Sequence, residues 1–355
     1  MQIQQLRIQN YRVFRDLLIF DIPPVSVFIG ANGSGKSTLF DVFAFLKDSL
    51  FTTVHDAVDR RGGWRELHSR GEEGPISIDL QLRDAQGAFI TYELVITEQN
   101  GRVVVKREAL KYQRGLHGDL WTLLDARMGV GSITTNEAEY EVPDNAMVLQ
   151  DFSLESPETL AIKAFGQLSN LKHVSGFRRL VEGWHLSDFH LQDARPSQDI
   201  GYAEHLSPEG GNLPAVTHFI YAHHKPILDR ILERMKQRVP GVSNVEAAET
   251  VDGRLVLRFQ DGAFKDPFLA RYVSDGTIKM FAYLVLLHDP SPINCCASKN
   301  LRISFIPHYW VNWSKSSLAM RVGVDRSWSA PILQTSSMPS PLRTCFGLRN
   351  TMDFP

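Results

Sequence analysis

At 355 residues and 43% hydrophobic, the chain holds enough apolar material for one large domain or two ordinary ones, which excludes disorder as its general state. Its longest apolar run, MFAYLVLL at 280–287, is far below the roughly 20 residues that cross a bilayer, and the opening MQIQQLRIQ has no apolar signal core, so a soluble, cytoplasmic chain with no membrane partner is expected. A formal net charge of −2 argues neither for nor against nucleic acid, and three cysteines, all beyond residue 290, make neither a disulfide framework nor a zinc site.

In chain order, residues 3–9 and 17–22 read as two strands, and PVSVFIG, bounded by Pro24 and Gly30, reads as a short buried strand. Leu39, Phe40, Val42, Phe43, Phe45 and Leu46 recur at helical spacing and predict a helix over 36–50, packed on the sheet through that stripe. From 76 to about 111 the pattern alternates with a period of two, broken at Gly87 and Gly101, as in an antiparallel meander. Residues 157–190 have a helical pattern with Ser156 as N-cap and Pro157 in the first position. The loop SPEGGNLP at 207–214 precedes an amphipathic helix over 215–239, interrupted by Pro226 and stopped by Pro240-Gly241. RLVLRF at 254–259 is a strand, and 275–287 is a helix opened by a small polar and glycine cluster. No internal repeat and no sustained heptad is present, so a long coiled-coil arm is not expected.

Between the third strand and the first helix stands Gly30-Ala31-Asn32-Gly33-Ser34-Gly35-Lys36-Ser37, which fits G-x-x-x-x-G-K-[S/T] at every fixed position. The glycines let backbone N–H groups wrap phosphates, and the helix N-terminus adds partial positive charge. Lys36 would place its ammonium on the β and γ phosphates, and Ser37 would offer its hydroxyl to Mg²⁺. Thr38 closes the GANGSGKST run and counts with the nucleotide-binding residues. A glycine-rich turn that binds nothing is the alternative, and the strand–loop–helix context argues against it.

LRIQNYRVF (6–14), the two strands, the phosphate loop and RYVSDGTIKMFAYLVLLHDP (271–290) together resemble an ABC-type ATPase head, within it the RecF/SMC-like AAA family of bacterial ATPases without a long coiled coil. The resemblance spans 1–290. It implies an α/β fold: a P-loop NTPase head with an antiparallel subsheet and a helical insertion. It also implies ATP and Mg²⁺ as cofactors, and ATP hydrolysis that drives engagement and release of two heads. Ser274-Asp275-Gly276-Thr277 occupies the place of the ABC signature loop, where Ser274 and Gly276 would close over a γ-phosphate held by the other copy of a homodimer. Read without the resemblance, the same residues are a helix N-cap with its glycine. Asn10 and Arg12 match the family's N-terminal motif, whose basic residue often lies near the nucleotide; alone, Arg12 is a solvated strand-end charge.

The resemblance further implies an apolar strand ending in paired carboxylates just after the signature helix, and a His at the end of a later strand. The written tail has neither, and His308 in IPHYW has no apolar strand before it. From 291 to 355 there are seven Lys/Arg and two acids, all three Cys, three of the six Trp and eleven Ser, leaving the tail at +5 and residues 1–290 at −7. Cys295 and Cys296 read as inert thiols. Permitted codons for 294–307, read one base earlier, give LLCIEEPENQLYP, and the same offset over 325–338 gives GQVLVSTHSPDFLNA. Both missing motifs then appear in order, which points to a frameshift near 291–294; a divergent basic tail that binds nucleic acid is the alternative.

The chain thus divides into an N-terminal lobe with the phosphate loop and subsheet (1–150), a helical insertion (151–240), a signature-loop segment (241–290) and an anomalous tail (291–355). The expected function is an ATPase acting in DNA repair or defence against foreign DNA, with catalysis centred on Lys36 and Ser37 and impaired in the chain as written. The rival is a non-catalytic nucleotide-gated module that regulates a separate effector protein. DNA and such an effector are the further partners expected.

Overall fold

In the computed structural model, residues 1–23, 26, 28–29, 33–84, 87–113, 120–136, 148–189, 196–290, 295–298 and 346–347 are described. The chain forms two compact units, one of residues 1–184 with 318–355 and one of residues 185–317.

The first unit is built on an eight-stranded antiparallel sheet. It comprises β1 (Gln2–Tyr11), β2 (Phe14–Ile19), β4 (Ile76–Arg83), β5 (Phe89–Gln99), β6 (Arg102–Gln113), β7 (Leu120–Arg127), β8 (Val130–Thr134) and β9 (Leu149–Ser153), in the order β2-β1-β4-β5-β6-β7-β8-β9. The alternation read from the sequence is the alternation observed: Ile76, Ile78, Leu80 and Leu82 of β4 are buried, as are Ile90, Tyr92, Leu94 and Ile96 of β5. Asn100 and Gly101, at φ 52° and 77°, join β5 to β6 with both central residues in the left-handed region that a two-residue hairpin of this hand requires.

Helix α1 (Lys36–Phe51) follows β3 (Phe28–Ile29) and buries Leu39, Val42, Phe43, Phe45, Leu46 and Leu50. Its Phe45 ring meets Tyr11 of β1 edge-on at 5.9 Å. Short helices α2 (Val54–Asp59) and α3 (Trp64–Leu67) come next, and α4 (Ala161–Phe165) and α5 (Lys172–Glu182) complete the helical layer. The Phe177 and His173 rings of α5 lie 4.4 and 4.3 Å from Tyr92 and Tyr112 of the sheet.

The helix expected from residue 157 starts later. Pro157 is held extended, its carbonyl accepting from Val105 N at 2.8 Å, and α4 begins only at Ala161, with Leu160 at the cap. The cap comes from outside: the Glu108 carboxylate on β6 accepts from the N–H groups of Ala161 and Ile162. Strand β10 (Trp184–Ser187) then replaces the end of the expected helical stretch.

The second unit holds β11 (Gln198–Asp199), β12 (Val242–Glu249), β13 (Arg254–Asp261) and β14 (Phe268–Leu269) as a small antiparallel sheet, with α6 (Leu213–His223), α7 (Lys225–Arg238), a 3₁₀ turn at Ala270–Tyr272 and α8 (Asp275–Leu287). Its core gathers Val216, Ile220, Ile231, Leu257, Phe259 and Phe281. The Pro226 interruption divides α6 from α7 as expected, with Pro in the first turn of α7.

Two short strands arise in the tail, where the sequence shows no strand patterning. β15 (Cys295–Ser298) pairs with β10, and β16 (Phe346–Gly347) runs parallel to β3, Phe346 opposite Phe28. These strands run over only four and two residues, too short for a side-chain period to announce them. Residues 299–345, with His308, Trp310, Trp313 and Trp328, lie outside the described residues.

Candidate functional site

Gly30, Ala31 and Asn32 lie outside the described residues; the remainder of the phosphate loop is described. Gly33 and Gly35 both have positive φ, 83° and 92°, so the turn into α1 uses backbone that L side chains rarely adopt. At Gly35 space is also closed: a Cβ would stand 2.6 Å from the Phe14 ring and 3.1 Å from Val13 Cγ2. The β1–β2 turn therefore packs directly on the last glycine of the loop.

Helix α1 opens with the half-buried Lys36, whose Nζ donates to Ser34 Oγ at 3.3 Å, and the exposed Ser37. Thr38 is buried, and Leu39 N donates to Gly35 O at 2.9 Å, the first closed turn. No acidic residue stands in that first turn, and no side chain caps it. A helix start with no acid in its first turn and no side-chain cap offers its N–H groups and the positive end of its dipole to a ligand, which suits a phosphate. The other end of α1 is neutralised by Lys163, whose Nζ donates to the carbonyls of Phe51 and Thr52.

Arg12 lies in the β1–β2 turn at φ 50°, and its guanidinium is held by Asp41 of α1 at 3.3 Å. Asp41 is a junction the sequence did not reveal. Its Oδ2 also accepts from Tyr11 Oη at 2.9 Å, and its Oδ1 from Arg61 Nε at 3.0 Å. Burial, joined by the Asp41 charge, pushes the Tyr11 hydroxyl well above the usual phenol range, so it remains a donor. Arg61 reaches Asp48 with Nη2 at 2.8 Å and the Ala57 carbonyl with Nη1 at 2.8 Å, and its side chain is 7% exposed. The signals available were Asp41 and Asp48 one heptad apart, on one face of the helix, and the Gly62-Gly63 pair following Arg61.

Ser274 and Gly276 belong to the second unit, and both are exposed. Ser274 caps α8 in the expected way: its Oγ accepts from Thr277 N at 3.2 Å and lies 2.8 Å from Thr277 Oγ1. Nothing lies within 4 Å of the place a Gly276 Cβ would take, so the mouth of α8 is open. Asp275 stands in its first turn, favourable to the helix dipole and unfavourable to an incoming phosphate.

A family model described as "AAA domain, putative AbiEii toxin, Type IV TA system" matches residues 25–293, from the strand before the phosphate loop to just beyond α8. The chain belongs to this family. It is therefore an AAA-type chain of the nucleotide-binding ATPase class, and its α/β architecture, with the loop between β3 and α1, is that of a P-loop head. Among solved structures the SMC head domain from Thermotoga maritima is similar at 13% identity, over 90% of this chain and 88% of that one, with a TM-score of 0.34, a likeness too distant to carry any detail of the site. No curated protein matches the chain. Among the described residues no helix of this AAA chain is long and apolar enough to cross a membrane, and no group of His, Cys, Asp and Glu is arranged to hold a metal.

Proposed function

We propose that the chain binds ATP with Mg²⁺ at Gly30 to Thr38 and works as an ATPase head through ATP-dependent engagement of two copies. The observation that carries this reading is the opening of α1: left-handed Gly35, Lys36, an exposed Ser37 hydroxyl and no acid in the first turn. Lys36 puts a point charge on the β and γ phosphates, and the N-terminal amides of α1 hold their oxygens. Ser37 would take one place around Mg²⁺, whose chemistry there is to draw negative charge from the phosphates. The exposed Ser274 and Gly276 supply the second anion site, offered to the nucleotide of the other copy in a homodimer.

On this reading 1–150 is the nucleotide-binding lobe, 151–240 the insertion and 241–290 the signature segment. The biological setting is cytoplasmic, in DNA repair or defence against foreign DNA, with DNA or a separate effector protein as partner; the toxin–antitoxin wording of the family description supports defence. Hydrolysis by the chain as written is impaired, since no paired glutamates follow α8 in its sequence. The family match ends at residue 293, where the composition changes, and this supports a frameshift at 291–294.

The test is Lys36→Ala in a fluorescent-nucleotide titration. Loss of most ATP affinity is expected; unchanged affinity overturns the site. A second reading, a nucleotide-gated module without turnover, is favoured by the missing carboxylates, and a turnover assay on the frame-restored chain separates the two.

A further inference from the structure

We infer that Arg61 is a positioning residue for the phosphate loop, acting through Asp41 on α1 and through the β1–β2 turn on Gly35, so that the segment 53–69 sets nucleotide affinity. The inference rests on the nucleotide-binding reading above.

The geometry forms a closed circuit. Arg61 sits just after α2 with every guanidinium nitrogen engaged: Nε on Asp41, Nη2 on Asp48 and Nη1 on the Ala57 carbonyl of its own segment. Its Cζ lies 5.4 Å from the centroid of the Phe45 ring, so the cation is also seated on an aromatic face of α1. One buried side chain therefore ties α2 to two carboxylates two turns apart on the helix that carries Lys36 and Ser37.

From Arg61 the chain runs through α3 to a second set of ties. Arg12 N donates to Leu67 O at 2.6 Å, Ser69 N to Asn10 O at 3.0 Å and Ser69 Oγ to Phe14 O at 3.1 Å, and Tyr11 forms a bridge with His68. These bonds fix the β1–β2 turn, and the turn places Phe14 against Gly35. Tyr11 and Arg12 return from that turn to Asp41. The loop is thus held from the α1 side through Asp41 and from the turn side through Phe14, and both holds lead to 53–69.

Packing transmits a shift because neither contact has slack. Arg61 is 7% and Asp41 14% exposed at the side chain, and Gly35 has no room for a methyl group. Phosphate binding by backbone N–H groups depends on fractions of an ångström, so releasing Arg61 alters affinity without touching the ligand.

The experiment compares Arg61→Ala, Arg61→Lys and Leu110→Ala in the full chain, under conditions where each is folded. Leu110 is a fully buried sheet residue that makes none of the hydrogen bonds or ion pairs of this circuit, so its truncation measures what destabilisation alone does. Expected are a loss of about tenfold or more in MgATP affinity for Arg61→Ala, partial rescue by Arg61→Lys, which can hold one carboxylate but not both, and near-wild-type affinity for Leu110→Ala. Amide exchange of 39–45 in the nucleotide-free chain supplies an independent arm and should accelerate in Arg61→Ala more than in Leu110→Ala. Equal losses in Arg61→Ala and Leu110→Ala, or equal exchange, overturn the inference. If wild type binds no ATP the functional proposal fails, and the exchange arm still decides this one.

Discussion

Glu108→Gln should remove a specific pH dependence from the stability of the sheet layer. Glu108 on β6 is fully buried, and burial pushes its carboxyl from 4.5 up to about 7, against the opposing pull of N–H donors from Ala161 and Ile162 and the Tyr92 hydroxyl. Because the folded pKa is raised, the folded chain binds more protons than the unfolded chain between these two values. The stabilisation is fully present below about 4.5 and is lost as pH rises through about 7. At about 1.4 kcal/mol per pH unit the gap corresponds to about 3 kcal/mol, a large share of the roughly 5–15 kcal/mol that holds a domain. Gln has the same shape and cannot ionise; its carbonyl still caps α4, and Tyr92 can rotate to accept from its amide. Urea unfolding of both chains at pH 5 and pH 8 measures the difference. Wild type should lose about 2.5 kcal/mol relative to the variant across that interval, since part of the effect is already gone at pH 5. Parallel losses in the two chains would refute the reasoning, since they would mean that Glu108 titrates alike in both states.

Gly35→Ala combines a left-handed φ of 92° with a Cβ 2.6 Å from the Phe14 ring, whereas Gly33→Ala has strain but open space. Nucleotide titration should show the larger loss at Gly35. Ser274→Ala removes the acceptor for Thr277 N and should lower unfolding stability by about 1 kcal/mol, measured by denaturant titration. Ser274→Arg in the frame-restored chain should abolish ATP-induced dimers in light scattering while monomer affinity stays within a few-fold; dimers that persist would leave the loop as a helix cap only. Sequencing the gene over 291–355 should give, one base earlier, an open frame with paired glutamates after an apolar strand and a His after a second one. Stop codons throughout that frame would defeat the frameshift.

The legible parts of the fold are those where local chemistry and tertiary structure agree. Asn100-Gly101 is a hairpin turn in both sequence and structure because Asn and Gly accept positive φ at little cost. The β7–β8 hairpin has the same geometry, φ 51° and 80°, but builds it from Met128-Gly129, and a Met in that position sends no turn signal. The expected helix at 157–190 failed for a different reason. Ser156 and Pro157 look like a helix start, yet Val105 claims the Pro157 carbonyl and Glu108 caps a helix four residues later, so partners some 50 residues away override the local pattern.

The site divides along the same line. The proposed phosphate-binding residues Gly33, Gly35, Lys36 and Ser37 stand out in the sequence because a phosphate loop would draw its contacts from one short run of chain. Asp41, Arg61 and Phe14 are not readable, because their roles exist only once three separated segments meet. A motif reports the groups that touch the ligand, and the shell that holds them is written in packing. That difference bears on the tail. Residues 25–293 carry the family pattern, and a head that lost only its later strands would keep α1, its anchoring circuit and the phosphate loop, all of which lie in 1–69. On the proposed reading, nucleotide binding and hydrolysis would be separable in this chain: the first would draw on 1–69, and the second on carboxylates that its written sequence does not supply after α8.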